Sequence, residues 1–334
     1  MFLMKKLKQI TEEILFSGNN HGAQYTACNA LFDFFIEITN ISHQIENAED
    51  EIETFLANGK AICPKNAARC VLDFARTTQF LRGIYVAILE LKKRFPNEKL
   101  DILYAGSGPF ATLVVPLMAV FQPSDFRVTL IDIHERSIRA VQKVFADLGF
   151  DDFVADFVQT DANTYNHNGK PHLIISETMQ TAMKNEPHAA LTLQLAPQLA
   201  ENGIFIPQKI SVEACLANQA KEFSFVGEEV EKERVYLGEI FALEAEKVNF
   251  PNHEFPPVTV EVPAVDTEKL SFMYLTTVQI FGECVLRERN SSITYPVIVN
   301  ELNDLKSGDK IRFKYILGEK PHFEYEVFSN DEIL

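Results

Sequence analysis

The chain has 334 residues, more than one folding unit commonly holds, and its composition, 46% apolar and 23% charged, excludes a mostly disordered protein. Thirty-one Lys and Arg face 47 Asp and Glu. The resulting net charge of −16 excludes a nucleic-acid binder that relies on broad basic attraction to phosphate, and favours neutral or cationic ligands. No apolar run reaches the ~18 residues of a membrane-spanning helix, so no membrane partner is expected. Lys5, Lys6 and Lys8 belong to an opening helix without the apolar core of a signal peptide. Cys28, Cys63, Cys70, Cys215 and Cys284 form no CxxC pair, and the histidines lack metal-ligand spacing. A reduced, cytoplasmic setting with no metal site and no disulfide framework is expected.

Three regions follow in chain order: helical over 1–97, alternating over 98–207 and β-rich, barrel-like, over 208–334. In the first, Leu3, Leu7, Ile10 and Ile14 recur at helical spacing. Tyr25, Cys28, Leu31, Phe35, Ile38 and Ile41 form a second stripe, and Ile45, Ile52 and Phe55 mark a third. A longer helix is expected over 66–95, interrupted at the β-branched pair Thr77-Thr78. The middle region predicts strands over 100–105, 128–131, 153–158, 172–175 and 204–206. Helices are expected over 109–121, opened by Pro109, over 135–148 and over 186–199. This alternation predicts an α/β unit with a parallel, Rossmann-like sheet. Beyond Pro207, strands are expected over 258–262, 271–281, 296–299, 310–317 and 322–328, with Pro251, Pro256, Pro257 and Pro263 in turns. A largely antiparallel C-terminal β domain fits this pattern.

The chemistry-bearing residues fall at strand ends. Gly106, Ser107 and Gly108 follow the first strand of the middle region, where glycine lets the backbone turn tightly beside a ligand. Asp132 ends the second strand and is placed to accept ribose hydroxyls. Asp161, followed by Ala162, ends the third and is placed to meet an adenine amine. Together they point to a cofactor bearing adenosine, either a nicotinamide dinucleotide or S-adenosyl-L-methionine. The loop after the fourth strand separates these two. Glu177 and Glu186 bracket it, and two carboxylates grip a guanidinium through paired charge-assisted hydrogen bonds, a need that hydride transfer does not share. S-adenosylmethionine is the expected cofactor. A nicotinamide-dependent oxidoreductase and a non-catalytic binding protein are the alternatives.

With Ser176-Glu177 and Glu186 at this spacing, Asp73 and Arg76-Thr77 followed by Phe80, and the Gly106-Ser107-Gly108-Pro109 loop, the chain resembles the protein arginine methyltransferases among class I S-adenosylmethionine-dependent enzymes. The glycine loop is similar to that of the branch making symmetric dimethylarginine. The resemblance is strongest over 70–207. It implies that Arg76 binds the cofactor carboxylate, Gly106, Ser107 and Gly108 line its methionine end, Asp132 holds the ribose, and Asp161 with Ala162 meets the adenine. Glu177 and Glu186 are the implied catalytic pair, acting on a cationic acceptor that is a protein, a peptide or a free arginine-like small molecule. A homodimer is compatible with it. Where the family has an aromatic cluster, this chain has Ala57 and Ala61, and where it has a histidine and a methionine before the arginine, this chain has Ala67 and Cys70. The family's Thr-His-Trp loop has Thr294-Tyr295-Pro296 as its nearest counterpart, with Tyr295 expected to bond Asp73. Residues 1–60, carrying Phe32, Phe34, Phe35 and Phe55, are expected to cover the cleft and so favour a small acceptor.

Overall fold

A computed structural model describes residues 2–42, 47–224, 231–248, 254–302 and 304–329. Ile45 and Pro251, assigned above to a helix stripe and a turn, lie outside them. Helix α1 (Phe2–Phe16) buries Leu7, Ile10 and Ile14, and α2 (His21–Thr39) buries Cys28, Leu31, Phe35 and Ile38. Asn20 caps α2 by accepting the Ala23 N–H at 3.0 Å, and Asn40 closes it in the left-handed conformation. Tyr25, at the head of the expected stripe, is instead exposed.

The third stripe is not a helix. A 3-10 turn, Ala48–Glu51, leads into a hairpin of β1 (Thr54–Leu56) and β2 (Gly59–Ala61), and Ile52 and Phe55 are exposed. Asn58-Gly59, a dipeptide that favours tight turns, outweighs the helical spacing here. The next helical stretch also breaks elsewhere than expected. After α3 (Pro64–Arg69), a 3-10 turn runs into Asp73, which caps α4 (Phe74–Arg94) by accepting the Arg76 N–H at 3.3 Å. Thr77 and Thr78 continue inside α4, buried, with Thr77 Oγ1 donating to the Val71 carbonyl at 3.1 Å. The carboxylate cap sets the break, because it satisfies an N–H that would otherwise end unpaired.

Five parallel strands follow: β3 (Leu100–Ala105), β4 (Phe126–Asp132), β5 (Val154–Gln159), β6 (Leu173–Ser176) and β7 (Ile204–Ile206). Their order is β5-β4-β3-β6-β7, so the direction of travel reverses between β3 and β6. Open α/β sheets bind ligands at that crevice, outside the carboxyl ends of the strands. The helix expected over 109–121 shrinks to α5 (Val115–Met118). Pro116 has no N–H and its ring collides with the carbonyl four residues back, so a helix cannot run through it from Pro109. Helices α6 (Glu135–Leu148) and α7 (His188–Leu195) complete this region, the first buried along Ile138, Val141, Phe145 and Leu148. The N-terminal pair packs on it: Thr11 Oγ1 donates to the Pro116 carbonyl at 3.2 Å, and Phe35 stacks on Phe110 at 4.9 Å.

The C-terminal region opens with β8 (Lys209–Ala217), α8 (Gln219–Glu222) and β9 (Arg234–Glu244). Both strands escape the sequence reading. The inward residues of β8 include small Ala214, and β9 lies largely half-buried in an acid-rich stretch, so neither gives a strong β signal. Next come β10 (Val258–Glu261), β11 (Ser271–Phe281), β12 (Cys284–Leu286), β13 (Val297–Ile298), β14 (Lys310–Ile316) and β15 (His322–Phe328). They form an antiparallel sheet of order β12-β11-β8-β9, with β13 beside β11, and a second of order β10-β14-β15. The two sheets meet through aromatic side chains, among them Phe272 on Phe313 at 5.6 Å and Phe241 on Tyr315 at 4.6 Å.

Candidate active site

A cleft of about 990 Å³, open to solvent, lies at the carboxyl ends of the parallel strands. Gly106, Ser107 and Gly108 form one wall, and Asp132, Asp161 and Ala162 lie along it. Arg76, Glu177 and Glu186 line it as well, so all nine singled-out residues come together in one place. Among the described residues, no group of three or more His, Cys, Asp and Glu side chains is placed to hold a metal ion.

The glycine wall is fixed to β4. The Gly106 and Ser107 N–H groups both donate to the Ile131 carbonyl at 2.9 Å, and Gly108 N–H donates to Asp132 Oδ2 at 2.9 Å. Gly106 and Gly108 have positive φ, 73° and 62°, and a Cβ on Gly106 would come within 2.5 Å of Thr178. Glycine is required at Gly106 twice over, by conformation and by space. Asp132, buried, accepts the His134 N–H on its other oxygen at 2.8 Å, which fixes the carboxylate plane toward the cleft. Asp161 accepts both the backbone and side-chain N–H of Asn163 at 2.9 Å, and the buried amide oxygen of Asn163 has no partner among the described residues.

Glu177 and Glu186 bring two nearly buried carboxylates to the cleft. Arg76 donates to Glu177 in a pair whose side chains are each 10% exposed. Burial pushes the Glu177 carboxyl up to about 7, although Arg76 pulls it down. Burial also raises the Glu186 carboxyl, against the pull of Arg76 and Lys60. The second Glu177 oxygen, Oε1, is buried and accepts no hydrogen bond among the described residues. A buried carboxylate oxygen left in that state favours a cationic donor strongly. The loop between the acids is anchored by Thr178, whose hydroxyl lies 3.2 Å from Ser176 Oγ and 3.4 Å from His188 Nδ1. Burial pushes His188 down to about 3, so its ring stays neutral there.

No protein-family model and no curated protein sequence matches the chain. Among solved structures, the Trypanosoma brucei PRMT1 enzyme–prozyme heterotetrameric complex with AdoHcy is similar, with a TM-score of 0.52 at 13% identity over 78% of this chain and 97% of that one. The fold is that of a class I methyltransferase.

Within this methyltransferase fold, two expectations change. Tyr295 does not bond Asp73: its ring is half exposed, and its carbonyl accepts from Thr181 Oγ1 at 2.7 Å. Asp73 Oδ2 is instead held at 2.8 Å by Ser291 Oγ, Ser292 N–H and Ser292 Oγ. A 3-10 turn capped by Ser291 aims all three donors at the start of α4, so the β region positions the helix end that carries Arg76. The cover over the cleft also differs. Phe34 and Phe35 are fully buried in the core and Phe55 points to solvent, so the aromatic residues of 1–60 do not roof the site. The part of this segment that reaches the cleft is the β1–β2 hairpin, with Leu56, Lys60 and Ala61 in the lining.

The sequence reading missed four contributors: Lys60, His134, Asn163 and the Ser291-Ser292 pair. His134 and Asn163 each stand two residues beyond a recognised strand-end acid, a position that could have drawn attention to them. Lys60 and the serines carry no such local signal. Gly59 has φ 134°, and a Cβ there would meet the Glu186 and Pro187 backbone at 2.8 Å. Gly59→Ala is therefore expected to cost about 1–3 kcal/mol through strain and a lifted hairpin, measured by chemical denaturation.

Proposed function

We propose that the protein is an S-adenosylmethionine-dependent N-methyltransferase acting on a guanidinium. The observation that carries this reading is one cleft with strand-end acids Asp132 and Asp161 toward one end and the buried pair Glu177 and Glu186 at the other. The residues fit the cofactor. The unpartnered Asn163 oxygen suits the adenine amine, Asp132 suits the ribose, and the glycine wall with Arg76 suits the amino-acid end. AdoHcy in the T. brucei complex, the demethylated form of this cofactor, supports the same assignment.

When bound, the cofactor supplies a methyl group on a positively charged sulfur. Glu177 and Glu186 hold the guanidinium, aim one nitrogen at that methyl, and balance the positive charge that grows on the acceptor. One of the two carboxylates would accept the proton that the guanidinium nitrogen gives up and pass it to solvent. Leu56 and Ala61 of the hairpin line the same cleft as the acids, and apolar cover there would strengthen their hold on a cation. Arg76 would serve both halves: it pairs with Glu177 and, lining the same cleft, would bind the cofactor carboxylate.

Guanidinium binding needs Glu177 ionised, and its carboxyl titrates near pH 7. Acceptor affinity is expected to fall about tenfold per pH unit below that value and to level off above it, because binding must first expel a proton. Calorimetry from pH 5.5 to 8.5 with an arginine-type ligand checks this, and a flat profile contradicts it. The assignment itself is tested by titrating the protein with S-adenosylhomocysteine and with NAD, then assaying methyl transfer to guanidine compounds. Selective binding of the first and transfer to nitrogen are expected. Selective binding of NAD would overturn the assignment.

A further inference from the structure

Building on the guanidinium reading, we propose that the C-terminal β region fixes the acceptor end of the site, with Thr276 and Tyr315 as positioning residues whose hydroxyls hold the loop that carries Glu186. That loop does not take its shape from its own sequence. Ala182, Met183 and Asn185 all have left-handed backbone, with φ of 54°, 54° and 64°. Asparagine tolerates this conformation, whereas in alanine and methionine the Cβ crowds the following carbonyl oxygen. Backbone of this kind persists only where its surroundings over-determine it.

Most of those surroundings are the β region. Thr276, buried on β11, accepts the Ala182 N–H on its hydroxyl at 2.9 Å. Tyr315, buried on β14, donates its hydroxyl to the Met183 carbonyl at 2.7 Å. Asn185 N–H donates to the carbonyl of Pro321, just before β15, at 3.0 Å, and the Asn185 carbonyl accepts the Lys60 N–H of the hairpin at 2.7 Å. Each left-handed residue is thus held through its own backbone by a different part of the β region. The two acids depend on this clamp unequally. Glu177 directly follows β6, and Arg76 holds its side chain. Glu186 follows Asn185, and its carboxylate leans on Gln180, a residue of the same loop that also accepts from Asn185 Nδ2 at 3.2 Å. The place of the Glu186 carboxylate therefore comes from the loop, and the shape of the loop from the β region. A shifted carboxylate loses the geometry of a charge-assisted bond to the acceptor, while Asp132, Asp161 and the glycine wall stand on other strands.

The test is calorimetry on the intact protein saturated with S-adenosylhomocysteine, with L-arginine and N-acetyl-L-argininamide as guanidinium probes, and hydrogen exchange of residues 178–187 beside it. Tyr315→Phe and Thr276→Val each remove one hydroxyl and keep the side-chain shape, and Thr276→Ser keeps the hydroxyl. The first two should each bind the probes about tenfold more weakly and exchange faster in the loop, with S-adenosylhomocysteine affinity within about twofold of native. Thr276→Ser should bind the probes as the native protein does. Native probe affinity in both Tyr315→Phe and Thr276→Val overturns the clamp and leaves the guanidinium reading standing. Equal losses of probe and S-adenosylhomocysteine affinity also overturn it, because the variants then loosen the whole fold. So does a Thr276→Ser as weak as Thr276→Val, because packing then matters and the hydroxyl does not. Binding of neither probe by the native protein overturns the guanidinium reading and this inference together.

Discussion

Glu177→Gln and Glu186→Gln are each expected to lower methyl transfer by roughly 10²–10³-fold, the scale of losing one preorganised electrostatic contact. The exchange keeps the shape of each side chain and removes the charge that holds a cationic acceptor. S-adenosylmethionine affinity should change far less, because the strand-end acids and the glycine wall are untouched. The two variants should also differ. Glu177 is paired with Arg76, so Glu177→Gln strips a buried arginine of its partner and should lower stability as well. No ion pair joins Glu186 among the described residues, so its variant should melt like the native protein. Single-turnover kinetics with cofactor titrations separate these effects. Full activity of either variant contradicts the guanidinium site.

Arg76→Ala carries the second large effect. Breaking a buried pair by removing one partner costs about 3–5 kcal/mol, because the other charge is left buried without a partner. Here the loss should depend on pH. Burial already raises the Glu177 carboxyl to about 7, and the guanidinium of Arg76 is what holds it down to that value. Without Arg76 the carboxyl titrates higher still, well above its value in the unfolded chain. The folded variant then binds a proton that the unfolded chain releases, and its stability falls as pH rises from the unfolded range through the raised folded value. The variant should be clearly more stable at pH 6 than at pH 8. It should also bind cofactor poorly at both, and Arg76→Lys should not restore binding fully, since the planar fork is lost. Urea denaturation at the two pH values checks the sign.

The parallel sheet and its acids were legible because strand ends and ligand contacts share one local signal. Asp132 closes an apolar run, Asp161 stands three residues after Val158, and the glycine loop follows the first strand of the sheet. The spacing of Glu177 and Glu186 spans one short loop, so sequence distance stands in for spatial distance. What escaped depends on long-range contact. Ser291 and Ser292 reach Asp73 across more than two hundred residues, and nothing near either end announces it. Lys60 meets the acidic loop through a hairpin that helical spacing had disguised. The N-terminal helices were rightly seen as apolar, but their phenylalanines fill the core behind Phe110 instead of roofing the cleft.

A crystal structure of the protein with S-adenosylhomocysteine and L-arginine tests the central claim most directly. The account predicts the ribose hydroxyls on Asp132 and the guanidinium between Glu177 and Glu186, within about 3 Å of a carboxylate oxygen of each. A cofactor in the cleft with the guanidinium elsewhere, or with its ribose away from Asp132, would contradict it.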